Sequence, residues 1–171
     1  FITDSTIPFG DIVVTGGGLV KGNSMLCLAT PCLYVSGDYS EIVANSISSD
    51  VDTFNPAVEI IGDKILFSDN IIAAYFCSLG ARFTGNNNLI AGNLIRGVSW
   101  VGLKIDGSGN IVKDNALVPD VNAGYPGTYP VAVGINFLQD GNFYGDNQMS
   151  AIVPFELNGT VQTDLGGNVG Y

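Results

Sequence analysis

An asparagine returns along this chain of 171 residues about once every two dozen positions. It stands at Asn23, Asn45, Asn70, Asn93, Asn115, Asn147 and Asn168, in steps of 22, 25, 23, 22, 32 and 21 residues. A small or acidic residue precedes each one, and a mostly apolar stretch follows: GNSML, ANSIS, DNIIA, GNLIR, DNALV, DNQMS, GNVGY. A near-constant period of this size is the mark of equivalent supersecondary units stacked on one another.

Aligning the chain on the Asn exposes a second column eight residues earlier: Gly37, Gly62, Gly85 and Gly107, with Gln139 as the departure. Gly16 and Gly159 join it with a small change of spacing. A repeated Gly predicts a backbone bend with positive φ in every unit. Just before the bend lies a short apolar–polar–apolar run, as in Leu33-Tyr34-Val35, Val58-Glu59-Ile60, Ala81-Arg82-Phe83 and Leu103-Lys104-Ile105. That alternation is the signature of a half-buried strand. A second apolar patch follows the Gly (Ile42-Val43, Leu66-Phe67, Leu89-Ile90), and a third follows the Asn (Ile47, Ile72, Ile95, Leu117). Three short strands and three turns in ~22 residues make one rung of a parallel β-helix, which buries its core only by stacking. No stretch holds an i, i+3, i+4 apolar pattern long enough for a helix. The expected fold is all-β: a single-stranded, right-handed parallel β-helix of about seven rungs. One domain covers 1–171, with a lead-in at 1–11, rungs over 12–171 and an inserted loop at 119–130.

The period assigns the asparagines a structural task. Rungs stack ~4.8 Å apart, so like side chains lie over one another. A buried amide then donates to one neighbour and accepts from the other, and repetition satisfies it. The seven are read as a ladder and not as catalytic groups. The 32-residue step holds the insertion, Pro119 to Pro130. Extra length in a solenoid maps to a loop on one face. Tyr125 and Tyr129 in that loop suit stacking on sugar rings; a rigid surface loop or subunit contact is the alternative.

Net charge is −10, with no His and only six basic residues. The lack of His removes the commonest general base and the usual zinc ligand. Few cations argue against nucleic-acid binding. No metal or cofactor is expected, and no run of ~18 apolar residues suggests membrane insertion. The three cysteines, Cys27, Cys32 and Cys77, are an odd number. They read as free thiols, with Cys27 and Cys77 as small core residues, in a chain assembled in a reducing compartment. Phe1 is not an initiator Met, and Phe1 to Asp11 reads as a weak cap on a first rung that continues something upstream.

The repeat, with its GN and DN turns and Gly bends, resembles the right-handed parallel β-helix superfamily of pectate-lyase-like enzymes, epimerase-like repeat proteins and bacteriophage tailspikes. The likeness runs from about Asp11 to Tyr171 and is closest to the tailspikes. It implies a homotrimer in a virion tail, folded in the host cytoplasm and acting outside it, that binds and in many cases cleaves a bacterial surface polysaccharide. Secreted pectate lyases carry a calcium-binding Asp cluster and a catalytic Arg, and no such motif is present here. A polysaccharide lyase or epimerase fragment and a purely structural trimerisation module are the rival readings.

Solenoid enzymes set their chemistry on outward side chains of one sheet. The outward position of the first strand gives the row Tyr34, Glu59, Arg82, Lys104, Asn136, Glu156. Tyr34, Arg82, Lys104 and Asn136 are the candidate substrate-binding residues, with an expected Glu59–Arg82 ion pair; the alternative is a solvated or subunit-facing ladder. Glycoside hydrolysis needs two carboxyls, ~5 Å apart for retention or ~6.5–9.5 Å for inversion. Glu59 and Asp106, two rungs apart near one strand edge, rank first as the catalytic pair. Asp114 with Asp146, and Asp38 with Asp63, occupy turns whose chemistry explains them. A lyase would use Arg82 or Lys104 to neutralise a uronate. Trp100, the only Trp, reads as a core residue or an exposed platform, with Tyr75 and Phe76 at the matching place one rung earlier.

Overall fold

The computed structural model describes residues 1–8, 10–28, 31–98, 100–118 and 131–170. All regular elements among them are strands, and every strand pairing is parallel. The chain forms a β-solenoid of about seven turns, with three strand columns.

The second column is the most regular. It stacks Ile2–Thr3, Leu19–Lys21, Glu41–Val43, Leu66–Ser68, Leu89–Ala91, Ile111–Lys113, Phe143–Gly145 and Thr163–Asp164 as one sheet. The first column runs from Ile12–Thr15 and Leu33–Ser36 to Val101–Asp106, Val131–Phe137 and Ala151–Glu156. The third runs from Thr6–Pro8 and Ser24–Cys27 to Leu94–Arg96, Ala116–Val118, Gln148–Met149 and Val169–Gly170. In two successive rungs the third and first strands are not separate, as the repeat predicts, but fuse into Ser46–Ile61 and Ile71–Thr84, 16 and 14 residues long. The two columns therefore join into a single 13-stranded sheet. The pair keeps step across the missing corner by register shifts at Tyr75/Cys77 and Cys77/Leu79. Residues 1–11, read as a lead-in, carry a second-column and a third-column strand that pair in register with the next rung.

The core is built of like on like. Val35, Ile60, Phe83, Ile105 and Phe137 form one inward column, each 0–1% exposed. Ile42, Phe67, Ile90 and Val112 form another, fully buried. Phe67 meets Phe83 edge to face at 5.1 Å. Each such side chain contributes roughly 1.5–3 kcal/mol by leaving water. The Gly bend lies where the alignment places it: Gly37, Gly62, Gly85 and Gly107 have φ of 139–155°. A Cβ on Gly85 would stand 2.1 Å from the carbonyl oxygen of Gly62 one rung earlier. The bend is thus held tight by backbone against backbone.

Two asparagine ladders run through the stack. In the expected one, the backbone N–H and Nδ2 of each Asn both donate to Oδ1 of the Asn one rung later. The links join Asn23 through Asn168 at 2.9–3.1 Å. The second Nδ2 proton reaches a carbonyl of the preceding rung, as from Asn70 to Ile42 and from Asn93 to Phe67. Amides and backbone are satisfied together, which burial demands. The residue before each Asn is left-handed, φ 53–73°, at Gly22, Ala44, Asp69, Gly92, Asp114, Asp146 and Gly167, as is Asp4 before Ser5 at the equivalent place of the first rung. This explains the small or acidic residue there, since Gly and Asp tolerate that conformation best. The second ladder lies five residues earlier, at Asn88, Asn110 and Asn142, and ends on Gln162.

Cys27 and Cys32 are not free thiols. They form a disulfide with Cα atoms 5.6 Å apart. Cys27 ends a third-column strand and Cys32 immediately precedes a first-column strand, and their separation lies within the bridging range. Cys77 is buried, and its thiol donates to Ser49 Oγ at 3.4 Å.

Candidate functional site

The outward row of the first sheet is in register from end to end. Tyr34 pairs with Glu59, Glu59 with Arg82, Arg82 with Lys104, Lys104 with Asn136, and Asn136 with Glu156. Alternation forces this: the neighbours on each strand, such as Ala81 and Phe83 or Leu103 and Ile105, are buried, so the residue between them faces out. Polar groups of differing chemistry thus recur at the strand spacing, ~4.8 Å.

Arg82 is the centre of the row. Its Nη1 lies 3.7 Å from Glu59 Oε1 and its Nη2 lies 3.9 Å from Asp106 Oδ2. The expected Glu59–Arg82 pair is therefore present, and the guanidinium also reaches Asp106, whose strand position pairs with Thr84. The structure brings the two candidate catalytic carboxylates onto opposite ends of one guanidinium. Nε of Arg82 is buried and has no hydrogen-bond partner among the described residues. The side chains of Arg82, Glu59 and Asp106 are 40%, 21% and 30% exposed. Ion pairs this long and this wet contribute at most about 1 kcal/mol to stability, so packing alone does not require the triad.

Lys104, one rung on, makes no ion pair within 4.0 Å among the described residues. Asn136 is already engaged: its Nδ2 donates to Glu156, and its Oδ1 accepts from Asn158 Nδ2 at 2.7 Å. The lower row, Glu59 to Lys104, is therefore the more open to a ligand. Tyr125 and Tyr129 lie outside the described residues. The segment that carries them leaves the third column after Val118 and rejoins the first at Val131.

The other carboxylate pairs do turn work. Asp38 Oδ1 accepts the backbone N–H of Asp63 at 2.8 Å, and Asp63 Oδ1 accepts that of Asn86 at 2.7 Å. Asp114 and Asp146 hold the left-handed position of the Asn turn, and Lys113 lies 3.7 Å from Asp114. Among the described residues no three His, Cys, Asp or Glu converge as a metal site. A hollow of about 390 Å³ opens at the first turn, lined by Phe1, Gly17, Gly18, Leu19, Tyr39 and Glu41. It shares no residue with the row. Beside it, Lys64 Nζ donates to the Tyr39 hydroxyl at 3.0 Å, and that bond is the main reason its pKa is held above the ordinary lysine value. Burial, then the charge of Asp164, pushes the phenol of Tyr144 upward, where its ring packs 4.8 Å from Phe155.

Sequence reasoning leaves Trp100 between core and surface, and the structure sets it 59% exposed, immediately before the strand that carries Lys104 and Asp106. Leu28, 63% exposed, lies on the same corner of an earlier rung, and Phe54, 89% exposed, lies midway along the fused strand Ser46–Ile61. The side chain of Phe76 lies outside the described part.

Comparison with protein-family models, with curated proteins and with solved structures finds no match for this chain. The functional reading therefore rests on the geometry.

A straight row of donors and acceptors with an aromatic residue at its edge suits an extended polymer of hydroxyl-bearing units. It suits hydrolysis less well. A general acid needs a carboxyl in an apolar, water-poor setting, whereas Glu59 and Asp106 both face a guanidinium and solvent.

Proposed function

We propose that this chain is a segment of a trimeric phage tailspike that binds a bacterial surface polysaccharide along the outward face of the first sheet. The observation that carries the reading is the in-register row with Arg82 shared between Glu59 and Asp106. Carboxylates held in place accept hydrogen bonds from sugar hydroxyls in fixed directions, and Lys104 and the guanidinium edge supply donors. Trp100 offers a face for a pyranose ring. The segment acts in a virion tail, outside the host cell that assembles it.

Because Trp100 is the only tryptophan, its fluorescence reports directly on this region. Titration with purified capsular and O-antigen polysaccharides is expected to change the emission saturably for at least one of them. Arg82→Ala is expected to weaken that binding about tenfold, the scale of a lost charge-assisted hydrogen bond. A flat titration across the panel overturns the reading. Cleavage is read separately. New reducing ends that disappear in Glu59→Gln and in Asp106→Asn assign the pair as hydrolytic, and new ultraviolet-absorbing unsaturated ends assign a lyase.

A further inference from the structure

Asn158 stands apart from the asparagines of the ladders. It is the only asparagine of the chain followed by glycine, and both residues are exposed. They fill the central places of a tight turn, closed by the Thr160 N–H on the Leu157 carbonyl at 2.7 Å. Their φ values of 49° and 77° are both left-handed, a conformation that an Asn-Gly pair adopts readily. The N–H of Gly159 meets no acceptor among the described residues. A Cβ on Gly159 would have nothing within 4 Å, so no neighbour crowds that nitrogen. The side-chain amide is anchored instead: its Nδ2 donates to Asn136 Oδ1 at 2.7 Å and to the Phe137 carbonyl at 3.2 Å.

We propose that Asn158 is a self-modifying position whose conversion releases the late end of the outward row. The Gly159 nitrogen attacks Cγ of Asn158 and a C–N bond forms. The Cγ–Nδ2 bond breaks, and the proton of the attacking nitrogen leaves with Nδ2 as ammonia. Water then adds across one C–N bond of the cyclic imide. Opening on the Cγ side leaves aspartate, and opening at the main-chain carbonyl leaves isoaspartate. Such an intramolecular attack depends on how freely the two atoms meet, and Gly159, without a Cβ, shields its nitrogen least. The ladder is barred from the same reaction. Asn23 and Asn45 precede a serine, also small, but both are 1% exposed. The N–H of each such serine is bonded to the rung before it, Ser24 to the Ser5 carbonyl and Ser46 to the Asn23 carbonyl, both at 2.8 Å. The product acts on the row through Asn136, which accepts from Asn158 and donates to Glu156. With a carboxylate at position 158, two anions flank one amide, and its Nδ2 turns to only one of them. The Phe137 carbonyl loses its side-chain donor as well. This holds whether or not the row binds a sugar.

Incubation of the folded chain in mildly alkaline buffer, followed by peptide mapping, is expected to show aspartate and isoaspartate at position 158, with Asn23 and Asn45 unchanged. Isoelectric focusing is expected to show a matching acidic band. Asn158→Gln is expected to lose that band, because its longer side chain closes a less favoured ring. Asn158→Asp installs one of the two products directly and is expected to shift the side-chain amide resonances of Asn136. An Asn158 that stays intact in the folded chain while the urea-unfolded chain converts overturns the proposal, as does an acidic band that survives Asn158→Gln. Asn136 resonances that stay in place in Asn158→Asp overturn the release of the row.

Discussion

The corner that carries the asparagines and the corner between the third and first columns are turned by the same chain at the same spacing, yet they are built by opposite rules. At the Asn corner every rung from Asn23 onward repeats a left-handed residue followed by an amide that bonds into the stack. At the other corner no two neighbouring rungs need agree. One is closed by the Cys27–Cys32 disulfide, two have no corner at all because the strands fuse, another exposes Trp100, and the next holds the insertion. A buried polar ladder tolerates no exception, since one missing partner orphans two rungs. A solvated corner has no such coupling, so it is where length and exposed aromatics accumulate.

Four substitutions probe that contrast, in falling order of expected cost. Asn93→Ala leaves the backbone N–H and Nδ2 of Asn70 and the carbonyl of Phe67 without that amide. Urea unfolding is expected to show a loss of at least about 3 kcal/mol, from about 1–3 for each of the three buried orphans; a loss comparable to a surface change breaks the contrast. Replacing Cys27 and Cys32 together with Ser removes a cross-link over a very short loop, for which chain entropy gives about 2 kcal/mol. Peptide mapping without reductant checks that the bridge is the one lost. Asn88→Ala is expected to cost about 1 kcal/mol. Its Oδ1 accepts the Ile65 N–H at 2.8 Å, but its Nδ2 is buried without a partner, so this ladder member is worth less than Asn93. Phe54→Ser is expected to shift stability by no more than about 0.5 kcal/mol, as an 89% exposed side chain should. A cooperative loss of structure there would show that this side of the stack is coupled to the core after all.

The regularity of each corner also set how much could be read from sequence. The Asn ladder, the Gly bend and the outward row were legible because each follows from a repeat and an alternation. The second ladder was hidden because its first three places hold Gly18, Ser40 and Ile65, and amides begin only at Asn88. The disulfide was missed because pairing depends on how a turn folds back, and an odd cysteine number does not report that. Fusion of strands at 46–61 and 71–84 was not legible either, since an apolar run with a polar interruption reads equally as two strands or one. In the candidate site, sequence placed Glu59 beside Arg82, but the reach of Arg82 to Asp106 depends on a side-chain conformation that periodicity does not encode. Trp100 was undecided because it precedes its strand, where the inside–outside alternation has not yet begun.

The amide column has a direction. In every link the oxygen points toward the earlier rung and one Nδ2 hydrogen toward the later one, so the small carbonyl moments of the asparagines add as peptide moments do along a helix. The electropositive pole is the late end, and there the amide of Asn168 gives its proton to the carboxylate of Asp164 at 2.6 Å. The solenoid is thus polarised along its length, with an anion seated at the pole that attracts one.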